Sequence, residues 1–125
     1  MKDLEEYGAN VTITNSTLLN VLHMAAQNNK VPSMIYLSDK VDINAADEKG
    51  HTALHWAAYS GSEDVVAYIL TKNSIDINAV DKDNQTPLIL ATSYGNTKIV
   101  RRLLIKGAKR SIRNSKGKTA IDIAR

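Results

Sequence analysis

Apolar residues recur along this chain in short helical blocks separated by polar turns. In "TALHWAAYS", Thr52 to Ser60, and "EDVVAYILT", Glu63 to Thr71, they stand three and four apart, the spacing that gathers side chains on one face of an α-helix. Gly61 lies between the two blocks and breaks them. Thr52 is placed to cap the first helix with its hydroxyl, and Glu63 and Asp64 favour the positive N-terminal end of the second. The pair recurs downstream. "TPLILATSY" starts at Thr86 with Pro87 at the first helical position, where its missing N–H costs nothing, and Ala53 and Ala120 stand in the same slot. "TKIVRRLLIK" follows and ends at Gly107, a candidate left-handed C-cap. The connecting "NAVDKDNQ" is rich in Asn and Asp and reads as a hairpin turn. The predicted unit is helix, turn, helix, extended hairpin.

The unit repeats in register. Asp47 to Asp81 is 34 residues and Asp81 to Asn114 is 33. Thr52, Thr86 and Thr119 coincide, as do Leu54, Leu88 and Ile121, then Ala57, Ala91 and Ala124, and Gly61 with Gly95. Upstream, "LHMAA" at Leu22–Ala26 matches "LHWAA" at Leu54–Ala58, and "VDINAAD" from Val41 matches "IDINAVD" from Ile75. "EYGANV" near the start looks like the end of one more unit. A period of this length is the signature of a stacked repeat, each unit burying its apolar face on its neighbours.

With "GHTALHWAAYSG", "QTPLILATSYGN", "INAAD", "INAVD" and "LIKGA" in register, the chain resembles the ankyrin-repeat family. The resemblance implies an all-α solenoid of stacked helix-turn-helix units with projecting β-hairpin-like loops. The expected organisation is a single domain over 1–125. It comprises a partial leading unit at 1–14, a degenerate repeat at 15–46, repeats at 47–80 and 81–113, and a partial closing unit at 114–125. Stacking is expected to bury Leu22, Leu54, Leu88, Val66, Ile69, Leu70, Val100, Leu103 and Leu104. The partial ends lead us to expect a segment of a longer protein.

Departures from the pattern are local. The first repeat shows Leu18 and Asn20 where its neighbour has Gly and Thr, carries Asn29 at the helix-breaking Gly, and runs two residues short ahead of Val41. Pro32 there is compatible only with the start of a helix. The next repeat holds one extra residue around Ser74 and Ile75. The third has Asn84 for the turn Gly, a tolerable left-handed residue, and Ile89 in the His55 slot. Asp122 occupies that slot in the closing unit and makes its helix more polar.

Composition narrows the chemistry. The 125 residues contain no Cys and no Phe, so the core is built from Leu, Ile, Val and Ala, and disulfides, thiolate catalysis and Cys-based zinc sites are excluded. No apolar run approaches the roughly 18 residues of a membrane span, and the polar, acidic start "MKDLEEYGAN" is not a signal peptide. Three Asn-X-Thr triplets are therefore read as chance. An intracellular location is expected, on the cytoplasmic side or in the nucleus. The net charge of +3 is unevenly spread: from Asn96 onward ten basic residues face one acid, net +9, leaving −6 for the rest.

His51 and His55 stand four apart, half of a zinc-ligand spacing. The register assigns them otherwise. His55 shares its slot with His23, and in the resembled family that residue is structural, its ring bonding the capping Thr and backbone groups. His51 precedes the Thr52 cap, hence lies on a hairpin tip and cannot share a helical face with His55. No metal site is expected. "GKT" at Gly117 lacks the earlier Gly of a phosphate-binding loop, which is Ile112 here, and no strand precedes a helix. No triad or carboxylate pair stands out, so the segment is expected to be non-catalytic and without cofactor. Trp56 holds a helix-packing slot where the neighbours show Met24 and Leu90, and is assigned to the stack. The structural residues are thus Thr52, His55, Trp56, Thr86, Pro87 and His23.

The resemblance implies protein recognition by the concave face and the tips. Its variable slots fall on Glu48, Lys49, His51, Tyr59 and Ser60 in one repeat, and on Lys82, Asp83, Gln85, Ser93 and Tyr94 in the next. Gln27 and Asn28 begin the surface, and Arg113, Lys116 and Lys118 extend it. Tyr59 and Tyr94 are the expected anchors, since Tyr is enriched at binding hot spots. A monomer is expected. The basic end is read as a solvated face, with an acidic protein surface or acidic lipid as the alternatives. Without stacking aromatics there, specific nucleic-acid reading is not expected. "TALHWAAYSG" is also similar to stretches in the ankyrin domains of DHHC-type protein acyltransferases, which would make the segment a substrate-recruiting part of a larger membrane enzyme.

Overall fold

The computed structural model describes residues 15–124. The leading unit at 1–14 and Arg125 lie outside the described residues. Among the described residues seven helices follow one another: α1 (Asn15–Gln27), α2 (Val31–Leu37), α3 (Ala53–Ser60), α4 (Glu63–Ile69), α5 (Pro87–Ser93), α6 (Thr97–Ile105) and α7 (Ala120–Ala124). They form two layers. The inner row packs α1 on α3, α3 on α5 and α5 on α7, while the outer row packs α2 on α4 and α4 on α6. Among the described residues no β-strand forms. The fold is an all-α repeat solenoid.

Each turn between paired helices is left-handed. Gly61 and Gly95 have φ of 76° and 70°, and Asn29, standing where those repeats have Gly, adopts φ 57°. An L-residue pays a steric penalty there that Asn tolerates best. Asn29 also uses its amide: Oδ1 accepts from Val65 N–H at 3.0 Å, so the substitution adds a tie to the next repeat. Pro32 lies in the first turn of α2, where no N–H is required. In α1 the absence of a capping Thr has a visible result. Leu18 and Asn20 fall inside the helix, which runs 13 residues against the 8 of α3.

The core is one cluster that includes Leu22, Leu54, Leu88, Val66, Ile69, Leu70 and Leu103. Val100 and Leu104, expected with them, are only half-buried. The register explains this. Val66 and Leu70, their equivalents on α4, face α6, whereas among the described residues no outer-row helix packs on the far side of α6. Trp56 also departs from expectation. It packs against the core, with the His23 ring of α1 at 6.2 Å, but is half-buried on the inner face, where it lines two grooves.

The hairpin tips are held by main chain and by one acid or amide each. Asp47 Oδ1 accepts from the N–H groups of Lys49 and His51, Asp81 Oδ1 from those of Asp83 and Gln85, and Asn114 Oδ1 from those of Lys116 and Lys118, all at 2.8–3.0 Å. These side-chain turns satisfy donors that no ladder serves. Neighbouring tips are joined by Lys82 N–H to Lys49 O at 3.0 Å and Ser115 N–H to Asp83 O at 2.8 Å. The approach at the first of these junctions fixes Gly50: with φ 82°, a Cβ there would stand 2.9 Å from the Asp81 Cα. At the opposite corners Asn44 donates to Ser74 O at 2.8 Å, so the extra residue of that repeat supplies an acceptor.

Candidate functional site

The inner face is organised by two histidines with different duties. Thr52 caps α3 and His55 completes a reciprocal capping box. The ring Nδ1 accepts from Thr52 N–H at 3.1 Å, which assigns the proton to Nε2, and Nε2 donates to Gln85 O of the next tip at 2.8 Å. Burial pushes the His55 pKa below its ordinary value, against the opposing pull of the Gln85 carbonyl and Asp81. The neutral ring is thus a staple between two repeats. Thr86 caps α5 in the same way, accepting from Ile89 N–H at 3.1 Å behind a buried Pro87, but Ile89 makes no onward polar bond.

His23 is buried in the equivalent slot without the equivalent bonds. Asn20 is the preceding residue in the Thr slot, Nε2 makes no hydrogen bond, and Nδ1 stands 4.0 Å from Asp47 Oδ2. Burial lowers its pKa as well. His51 is not the free tip residue that its position implies. Its ring lies between two acids, Nε2 at 3.0 Å from Asp81 Oδ2 and Nδ1 at 3.7 Å from Asp47 Oδ2, and only 26% of its side chain is exposed. It does lie on the tip, ahead of the Thr52 cap, yet its ring centroid comes within 5.8 Å of that of His55. Asp47 is held below the ordinary carboxylate range: burial acts to raise it, and the N–H groups of His51 and Lys49 outweigh that.

Aromatic rings continue from this point along the face. His51 meets Trp56 edge-on at 5.5 Å, Trp56 meets Tyr59 at 6.3 Å, and Tyr59 meets Tyr94 at 4.7 Å, the last two in T-shaped contact. The run crosses from one repeat to the next. Tyr59 and Tyr94 remain 43% and 57% exposed.

Three adjoining grooves gather most of the remaining candidate residues. The central one, about 330 Å³, is lined by Gln27, His51, His55, Trp56, Tyr59, Gln85, Leu90 and Tyr94. A second, about 600 Å³, shares His51 and Trp56 and adds Glu48 and Lys49. A third, about 410 Å³, shares Gln85 and adds Asp83, Ser93, Lys116 and Lys118. Asn28, Ser60, Lys82 and Arg113 are exposed but line none of the three. Arg113 is engaged within its own tip, donating to Gly117 O at 2.8 Å and lying 3.8 Å from Asp122. Asp122 in turn accepts from Thr119 N–H at 3.0 Å, closing a capping box in the slot where α3 uses His55. That bond holds its carboxyl below the ordinary range.

Sequence reasoning missed Asp47 and Leu90 as lining of these grooves, and the buried Asp81 beneath the His51 ring. The acids were visible as the recurring first residue of each unit, and their role as tip organisers is the physical content of that recurrence.

Comparison with known proteins agrees with this architecture. A family model described as ankyrin repeats (three copies) matches residues 2–81, and one described as ankyrin repeats (many copies) matches residues 68–124. Osteoclast-stimulating factor 1 of Rattus norvegicus is 49% identical over 106 residues, covering 84% of this chain and 50% of that protein. The Gallus gallus protein of the same name is 47% identical, covering 84% and 52%. Palmitoyltransferase AKR1 of Lachancea kluyveri is 36% identical over 72 residues, covering 54% of this chain and 10% of that protein. The chain thus spans about half the length, or far less, of these curated relatives. The chain belongs to the ankyrin-repeat family.

Proposed function

We propose that this chain is a non-catalytic protein-recognition module that binds a partner protein with its concave face and hairpin tips. The observation that carries the reading is the run of Trp56, Tyr59 and Tyr94 along the central groove, with both tyrosines exposed. Tyr offers a large contact area with few torsions to freeze, and the tips around it are already ordered by backbone bonds, so binding loses little conformational freedom. The units at 15–46, 47–80 and 81–113 each contribute part of that surface, between the partial units at 1–14 and 114–125. The proposed setting is intracellular, on the cytoplasmic side or in the nucleus, with the chain a monomer.

The test is affinity capture with the chain against the double variant Tyr59→Ala/Tyr94→Ala, with circular dichroism as the fold control. Loss of captured proteins with an unchanged spectrum supports the concave assignment. A folded double variant that keeps every partner rules it out.

A second reading rests on the similarity to palmitoyltransferase AKR1. In it, the module recruits substrates for a larger membrane enzyme of the DHHC acyltransferase type. Extending the sequence downstream decides it, since a DHHC Cys-rich segment between membrane helices is required. No helix among the described residues is long and apolar enough to cross a membrane. Direct contact with acidic lipid through the basic end is checked by sedimentation with anionic vesicles at low salt.

A further inference from the structure

We propose that the central groove receives an arginine side chain of the partner protein, stacked on Trp56, Tyr59 and Tyr94 and drawn in by the carboxylates of Asp47 and Asp81. The inference rests on the concave-face reading and names the group that this face holds.

No Lys, Arg, Asp or Glu lines the central groove. The nearest fixed charges stand one ring behind its wall, on either side of His51: Asp81 Oδ2 is 3.0 Å from Nε2 and Asp47 Oδ2 is 3.7 Å from Nδ1. Asp81 is the unusual one. Its side chain is 1% exposed, yet Oδ2 accepts no hydrogen bond, even from the imidazole beside it. His51 Nδ1 is also without a partner, so the ring satisfies neither acid. A buried carboxylate oxygen in that state favours a cation nearby. Two carboxylates flank one imidazole, so the local charge stays negative even when His51 carries a second proton. His55 adds no positive charge at neutral pH, because burial lowers its pKa. The exposed side chains of the same tips cancel in pairs, Glu48 with Lys49 and Lys82 with Asp83.

The tips do not need that charge. Asp47 and Asp81 organise them through Oδ1, and Asn114 does the same in the last tip with an amide oxygen. An amide at 47 and 81 would serve the turns equally, which leaves the negative charge of both acids for the groove.

The aromatic wall selects the same sign. A T-shaped contact takes the edge of one ring and one face of the other, so the run from Trp56 to Tyr94 keeps free π faces. Such faces attract a cation, and the flat guanidinium of Arg stacks on them better than the compact ammonium of Lys. The side-chain amides of Gln27 and Gln85 line the groove and make no hydrogen bond among the described residues, so their oxygens can accept from that guanidinium. An aliphatic side chain would cover the rings and leave Asp81 uncompensated. A carboxylate would meet two like charges.

The probes are short Gly/Ser peptides with a single central Arg, Leu or Glu. Trp56 is the only tryptophan of the chain, so its indole N–H gives a single resonance in a proton–nitrogen correlation spectrum. Only the central groove contains both Trp56 and Gln85, so a joint shift of the indole and the Gln85 side-chain amide identifies it. At neutral pH and low salt the Arg peptide should shift both saturably at millimolar concentration and bind roughly fivefold tighter than the Leu or Glu peptide. Asp47→Asn/Asp81→Asn should weaken the Arg peptide by roughly fivefold with an unchanged circular dichroism spectrum, and leave the Leu peptide as it was. Tyr94→Leu, at an exposed position, keeps apolar area and removes the ring; it should weaken the Arg peptide severalfold, and it decides the matter alone if the double variant does not fold. Absence of the joint shift, equal or tighter binding of the Leu or Glu peptide, or indifference to these substitutions overturns the inference. Affinity capture separates it from the reading beneath it. Partners lost by Tyr59→Ala/Tyr94→Ala but fully kept by folded Asp47→Asn/Asp81→Asn overturn the arginine assignment alone, whereas partners kept by both variants overturn the concave-face reading with it.

Discussion

The helices α3 and α5 begin alike and are joined to the next repeat by different means. Both start at a Thr whose hydroxyl accepts the backbone N–H three residues on. In α3 the third residue is His55, which carries the bonding onward to Gln85 O. In α5 it is Ile89, equally buried, which fills the space with carbon. The polar version fixes the next tip by direction and brings obligations: a proton on one nitrogen, an acceptor opposite, no charge. The apolar version has no such requirements, and the tip beyond it is joined by Ser115 N–H to Asp83 O and by the Asn84 amide to Arg113 O.

Removing the side chains should separate the two modes. His55→Ala opens a cavity, leaves Thr52 N–H without its partner and reduces Gln85 O to the one bond from Asp81 N–H, an expected loss of about 4 kcal/mol. Ile89→Ala opens a similar cavity with no orphaned polar groups, about 3 kcal/mol. Urea unfolding of the two variants checks the order, and a reversed order breaks the comparison. At the tips, Gly50→Ala meets both a left-handed φ and the Asp81 backbone at 2.9 Å, for about 2–3 kcal/mol. Gly117→Ala, with φ 75° and nothing within 4 Å, should lose only about 1 kcal/mol. Paired thermal melts read the difference.

Acid should act on one repeat junction more than the other. His55 and His23 are held below their ordinary value of 6.5 by burial, so between that value and their folded pKa the unfolded chain binds more protons than the native one. Stability is therefore complete above about pH 6.5 and declines as pH falls below it. His55→Gln should make the decline shallower in a pH series of melts, while Ile89→Ala should leave its shape unchanged. The smallest effect is expected for Ile89→His, which places an imidazole above Thr86 with Lys118 O in the register position of Gln85 O. A change within about 1 kcal/mol, with a new dependence on pH, would show that the staple is portable.

How much of this is legible in the sequence depends on range. The repeat, its helices and the Thr caps are local, and recurrence of Thr52, Thr86 and Thr119 makes them readable. The fate of His51 is not, because its ring stands between Asp81 and the nearby Asp47. Asp81 is the first residue of the next unit, brought beside the ring only by stacking. Trp56 reads as core because its slot is core in the repeat below, where Leu90 is 7% exposed. Its own ring stands beside His23 of α1 and lines the grooves on either side, which leaves it half-buried. Val100 and Leu104 fail at the far end: a repeating pattern describes an interior unit, and exposure at the boundary depends on what the neighbour supplies.

The tips carry one more consequence. Lys82 N–H meets Lys49 O, Ser115 N–H meets Asp83 O, and the organising groups are Asp47, Asp81 and Asn114. None of these bonds uses the side chains of Glu48, Lys49, Lys82, Asp83 or Lys116. The hairpins thus behave like a frame with blank tiles. Their lettering can be exchanged for another partner's without disturbing the grid that holds it, so binding preference and folding are free to diverge in evolution or in the hands of a designer.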